Sequence, residues 1–184
     1  MLTRYVRLYA RSKVCNEPLD GLFAMCEDWA REKEWLKYPS RRNILEGASG
    51  TFVWEDGMGI EWAGVLCRLF SSFDPALEVD LTVARANMPT TTKFNQGWTS
   101  EDMPEREIDR IGHHYDYSYP DSLVRQMDFV QELVWRVREM CGTHSRVIVT
   151  ADHGLTRFSP HANSIPIPKG YSGDRLGRFV KPDT

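Results

Sequence analysis

Apolar and polar positions alternate between two periods along this chain. From residue 17 to 37, Leu19, Leu22, Phe23, Cys26, Trp29 and Ala30 recur at three- and four-residue spacing, which predicts an amphipathic helix with its aromatic stripe turned to a core. "YPSRRNILEGASG" loses that period and reads as a loop, with Pro39 and the Gly47 to Gly50 stretch as breakers. "TFVWE" is a short β-rich run, followed by an acid, a Gly-x-Gly turn and a helical pattern through Ile60, Ala63, Gly64, Cys67 and Phe70. In "ALEVDLTVARANMP", Val79, Leu81 and Val83 alternate with polar neighbours and predict a second strand that runs into the loop "NMPTTTKFN". A long helix is predicted from Pro120 to Met140, with Pro and Asp at its start and Leu123, Met127, Val130, Val134 and Val137 on one face. "RVIVTADHG" is a further strand that stops at an acid, an imidazole and a glycine.

Strand, helix, strand, loop, helix, strand in this order predicts an α/β fold, a mostly parallel sheet with helices on both faces. Residues 1–48 form a helical lead-in to a single domain spanning 1–184. Six Trp and eight Phe in 184 residues supply one sizeable core, so no second domain is needed. A formal charge of −3 excludes a broad basic surface, so an anionic ligand needs cations placed locally. No apolar run has the length of a membrane span, and "MLTRYVRLYARSK" lacks a signal peptide's apolar centre; the expectation is a cytoplasmic protein with no membrane contact. Cys15, Cys26, Cys67 and Cys141 are scattered with no C-x-x-C pair and read as reduced thiols.

In folds of this class, ligands sit outside the carboxyl ends of the strands. Asp56 follows "TFVWE", Thr90 to Thr92 follow "LTVARANMP", and Asp152 with His153 follow "RVIVTA". In "EIDRIGHHYDY", Asp109 and His113 lie four positions apart and share one face of a helical turn, while Gly112 lets backbone approach whatever they hold. Mixed carboxylate and imidazole donors suit zinc or manganese.

Asp56 in "EDGMGIEW", then "PTTTKFN", "EIDRIGHHYDY" with its D-x-x-G-H form, and "ADHGLTR", in that order over about residues 50 to 158, resemble the two-metal alkaline phosphatase superfamily. Within it the set is similar to the PglZ family of bacterial phage-defence (BREX) systems. The resemblance implies a compact alkaline-phosphatase-like fold without a cap domain, since sixteen residues separate Thr92 from Asp109. It implies two divalent ions, zinc first and manganese second, with Asp56, Asp152 and His153 on the ion beside Thr92. Asp109 and His113 hold the other ion with one further His; the one imidazole downstream of His153 is His161. Thr92 is then the nucleophile, forming a covalent phospho-threonine by in-line attack, and Asn95 donates to a phosphoryl oxygen. The substrate is a phosphodiester, nucleic acid included, or a phosphomonoester, and the partners are other phage-defence proteins. The chain ends without a His-Gly-rich stretch, so a fragment of a longer protein and an incomplete second site both stay open. The alternative function is a catalytically incomplete scaffold that binds other defence proteins.

Each residue has a plainer role beside this one. Asp56 can cap the helix that follows it, and Thr90 and Thr91 can be loop formers. His114 and the tyrosines from Tyr115 to Tyr119 can be packing groups. His144 sits where a helix end favours a cation. Arg157 is either a surface charge or an anion contact, and Lys169, Arg175, Arg178 and Lys181 read as a solvated segment.

Overall fold

A computed structural model describes residues 2–88, 90–99, 102–113, 117–155, 158, 167–173 and 180–182. The helical lead-in consists of α1 (Leu2–Cys15), α2 (Leu22–Arg31), a 3-10 turn (Glu34–Lys37) and α3 (Arg41–Glu46). Then follow β1 (Thr51–Glu55), a 3-10 turn (Ile60–Trp62), α4 (Ala63–Phe73), the single turn α5 (Thr92–Asn95), α6 (Glu107–His113), α7 (Asp121–Cys141) and β2 (Val147–Ala151). A separate antiparallel pair, β3 (Tyr171–Gly173) and β4 (Val180–Pro182), closes the order.

β1 and β2 pair in parallel from Thr51 opposite Val147 to Glu55 opposite Ala151. Both strands therefore end at one level, and the next residue on each, Asp56 and Asp152, emerges side by side. Val53 of β1 packs with Phe70 of α4 and with Phe129, Val130, Leu133, Val134 and Val137 of α7, and Val147 and Val149 of β2 close on this cluster. Burial of one such aliphatic side chain contributes about 1.5–3 kcal/mol, so this helix face fixes where the strand ends stand. A smaller aromatic cluster of Tyr9, Leu22 and Phe158 holds α1 and α2. α1 is tied further by Tyr9, whose hydroxyl donates to the Leu155 carbonyl at 3.1 Å, and by Lys13, whose Nζ lies 3.7 Å from Glu61 Oε1 and 4.1 Å from the Trp62 ring centroid.

The structure corrects four expectations. The helix predicted over 17–37 is shorter, because Gly21 and Lys33 adopt left-handed backbone at either end of α2 and the chain continues only as a 3-10 turn. The supposed loop after Pro39 contains α3, which is supported by the Arg42–Glu46 pair four residues apart at 2.7 Å. The alternating stretch through Val79, Leu81 and Val83 is not a strand: Leu81 is 58% exposed, and the segment's one ladder contact is a bridge from Arg85 to Ser40. Alternation without a covering partner does not make a strand. The fold is mixed α/β as expected, but the parallel sheet has two strands among the described residues, because the second of the three strand patterns read from the sequence does not form one. Among those residues no helix is long and apolar enough to cross a membrane, and the four cysteines are free.

Candidate metal centre

The strand ends carry the site. Asp56 is buried just past β1, where its N–H donates to the Glu105 carbonyl at 2.8 Å while the Glu105 N–H donates back to the Trp54 carbonyl at 3.0 Å. That exchange lays the chain entering α6 along β1 and brings Asp109 over Asp56. The approach requires Gly57, whose φ is +74°: a Cβ there would stand 3.1 Å from Asp109 Cα and Cβ. Gly112 has a different task from the one expected, since a side chain there would strike Leu155 Cδ1 rather than a bound group.

Just past β2, Asp152 and His153 are both buried. Asp152 Oδ1 accepts the N–H groups of His153, at 2.8 Å, and Gly57, at 3.2 Å. Its Oδ2 is buried with no hydrogen-bond partner and lies 3.3 Å from His153 Nε2. His153 Nδ1 lies 3.1 Å from the Gly154 carbonyl. A carbonyl only accepts, so Nδ1 is the donor in that contact, and Nε2 is the ring nitrogen that faces the carboxylates.

Asp56, Asp109 and His153 each offer one ligand atom, and these lie within 4.8 Å of one another. Donors bonded to one zinc ion at about 2.0–2.2 Å stand within about 4.4 Å of each other, so little closure is needed. The donor chemistry, two carboxylates and an imidazole, fits a metal ion. So does the electrostatics: burial first, then Asp152 and Asp109, push the Asp56 carboxyl up to about 6, against the pull of His153 and Arg106. Clustered buried carboxylates of this kind call for a cation.

Thr92 faces the cluster. Its Oγ1 is 3.2 Å from His153 Nε2 and 3.5 Å from Asp56 Oδ1. The α5 turn that presents it is braced by Asn95, which is 1% exposed. Asn95 Oδ1 accepts from the Asn87 N–H at 2.6 Å, and Nδ2 donates to the carbonyls of Asn87, at 3.1 Å, and Thr91, at 3.0 Å. The amide thus holds the loop, where the resemblance had it donating to a phosphoryl oxygen. Arg41, at the start of α3, donates to the Asn95 carbonyl from below and lies 5.2 Å from the Trp54 ring. Its Nε and Nη1 are buried and unbonded; burial lowers its pKa, and Asp152 opposes that. Nothing in the residue pattern marked Arg41, because it reaches the site through a helix that the sequence reading had as loop.

Among the sequence-derived residues, Asp56, Thr92, Asp109, Asp152 and His153 come together. Asp109 shares one cluster with Asp56 and His153. His113 lies on α6 four residues after Asp109, with its side chain outside the described residues, as are His114, Arg157 and His161. His144 caps the end of α7, its Nδ1 3.0 Å from the Met140 carbonyl. Next to the cluster, burial pushes the Glu55 carboxyl up to about 8 even though Arg136 Nη2 lies 2.7 Å from Oε1.

No family model matches this chain, and no curated protein and no solved structure matches it.

Proposed function

We propose that this chain is a metal-dependent phosphoric-ester hydrolase in which Thr92 attacks phosphorus. The observation that carries the reading is the position of Thr92 Oγ1, 3.2 Å from His153 Nε2 and 3.5 Å from Asp56 Oδ1, at the edge of a buried carboxylate and imidazole cluster. Asp56, Asp109 and His153 would hold the cation, with Asp152 Oδ2 as a further donor. The cation supplies Lewis-acid stabilisation of charge on the attacking and phosphoryl oxygens.

The chain's own residues do the rest. The α5 turn, braced by Asn95 and Arg41, holds the Thr92 oxygen in place, which removes much of the entropic cost of attack. The Thr92 hydroxyl loses its proton to solvent as its oxygen bonds to phosphorus, the ester P–O bond breaks, and the departing alkoxide takes a proton from water. Water then cleaves the phospho-threonine and restores the hydroxyl.

The order Asp56, Thr92, Asp109, His153 supports placing the chain in the alkaline phosphatase superfamily, near the PglZ proteins of phage defence. On that reading the cations are two, zinc before manganese. The substrate is a mono- or diester, nucleic acid included, and the site works in the cytoplasm beside other defence proteins. The test is metal analysis together with hydrolysis of a bis-nitrophenyl phosphate ester by wild type and Thr92→Ala. A loss of about a thousandfold or more in the variant is expected, and retained turnover would refute the nucleophile.

One observation favours a second reading, a non-catalytic scaffold holding a single ion: the described donors form one group of three. Stoichiometric metal binding without turnover would support it.

A further inference from the structure

We infer that Arg106 is the residue that binds the anionic oxygens of the substrate, and that a divalent cation releases it for that task by taking over Asp56. The inference rests on the phosphoester reading above.

Arg106 is anchored at the mouth of the site. Its neighbour Glu105 exchanges backbone hydrogen bonds with Asp56 and Trp54 at 2.8 and 3.0 Å, so the base of the Arg106 side chain stays beside the cluster. The side chain is 60% exposed, and its Nε lies 3.9 Å from Asp56 Oδ2. At that distance the pair is electrostatic, with no hydrogen bond. Three other arginines described along this edge are committed. Arg110 and Arg125 bind Glu107 at 2.6 and 3.1 Å, and Arg136 binds Glu55 and Glu105 at 2.7 and 2.8 Å.

The two oxygens of Asp56 divide the site. Oδ1 stands 3.5 Å from Thr92 Oγ1, and Oδ2 faces Arg106, so the guanidinium is one carboxylate away from the attacking oxygen. A cation on Asp56 would cancel the charge that draws Arg106 inward and leave its planar fork open to solvent. That fork matches two non-bridging phosphoryl oxygens. Such a cation is required: Asp56, Asp109 and Asp152 crowd the site with carboxylates, and the chain's charge of −3 offers no general attraction for an anion.

The probes are Mn2+ and inorganic phosphate, titrated calorimetrically into wild type, Arg106→Gln and Arg106→Lys. In Arg106→Gln, Mn2+ should bind as well as in wild type or several-fold tighter, because a competitor for Asp56 has gone. Phosphate binding to the Mn2+-loaded variant should weaken about ten- to a hundredfold, the loss expected for charged hydrogen bonds, and Arg106→Lys should fall between. Opposite signs for the two ligands separate a binding role from a structural brace. Unchanged phosphate affinity, no phosphate binding by Mn2+-loaded wild type, or parallel loss of both ligands would overturn the inference. Phosphate binding that depends on Arg106 in a protein without ester hydrolysis would retain the anion site and refute the hydrolase.

Discussion

Glu55 allows a direct measurement of how strongly the site's surroundings resist negative charge. The residue is 1% exposed, and while Oε1 meets Arg136 at 2.7 Å, Oε2 is buried with no partner. Burial pushes the carboxyl from the ordinary 4.5 up to about 8; Arg136 pulls it down and Glu105 pushes it further up. A pKa raised on folding contributes stability that is complete below the unfolded value and is lost as pH rises through the folded one. The window is therefore pH 4.5 to about 8. At about 1.4 kcal/mol per pH unit, the loss between pH 5 and 7 is roughly 3 kcal/mol. Glu55→Gln keeps the shape and removes the titration. Urea unfolding of both proteins from pH 5 to 8.5 should give nearly equal stabilities at pH 5 and a wild type that falls progressively behind above it. Other titrating groups are common to both proteins and cancel in the difference. A gap that stays constant within about 1 kcal/mol across this range would refute burial as the dominant influence on Glu55.

Two further outcomes concern the metal cluster itself. Because Asp56 must be ionised to bind a cation and its carboxyl is pushed up to about 6, apparent Mn2+ affinity should fall about tenfold between pH 7 and 5 on its account; calorimetric titration that is flat over this range would contradict the ligand assignment. Gly57→Ala combines a left-handed φ of +74° with contacts of 3.1 Å to Asp109, so it should cost about 1–2 kcal/mol from the backbone alone and weaken Mn2+ binding by displacing Asp109. Thermal melts and the same titration check both, and unaltered affinity would mean that Asp109 is not a ligand.

What was legible in the sequence was what depends on near neighbours. The α7 helix appears within one residue of its predicted bounds because Val130, Val134 and Val137 repeat along a single buried face. "TFVWE" and "VIVTA" form strands, each followed by an aspartate, as read. What depends on distant segments was not legible. The alternation at Val79 to Val83 has no partner strand among the described residues, and α3 is too short for its period to show. Asn95 was misread and Arg41 missed because each acts through a partner elsewhere along the chain, Asn87 at 8 residues for the amide and Asn95 at 54 for the guanidinium. The close approach of Asp109 to Asp56 was not legible either, because it depends on Gly57 leaving room for Asp109 at the start of α6; the His113 side chain and His161, expected beside Asp109, lie outside the described residues.

The parallel register also explains why the site is costly to the protein that carries it. Pairing Glu55 with Ala151 places Asp56 and Asp152 at one level, and the core behind them keeps water away, so their mutual repulsion is not screened. The unpartnered Asp152 Oδ2, the raised Asp56 carboxyl and the loosely held Arg106 express the same deficit of positive charge. Arg106 meets it only in part, from 3.9 Å and mostly in solvent. A sequence selected for stability alone would place one neutral residue at either strand end and remove the repulsion. Retaining acids at both, with an imidazole and a threonine hydroxyl turned toward them, is the arrangement expected when a bound cation completes the site.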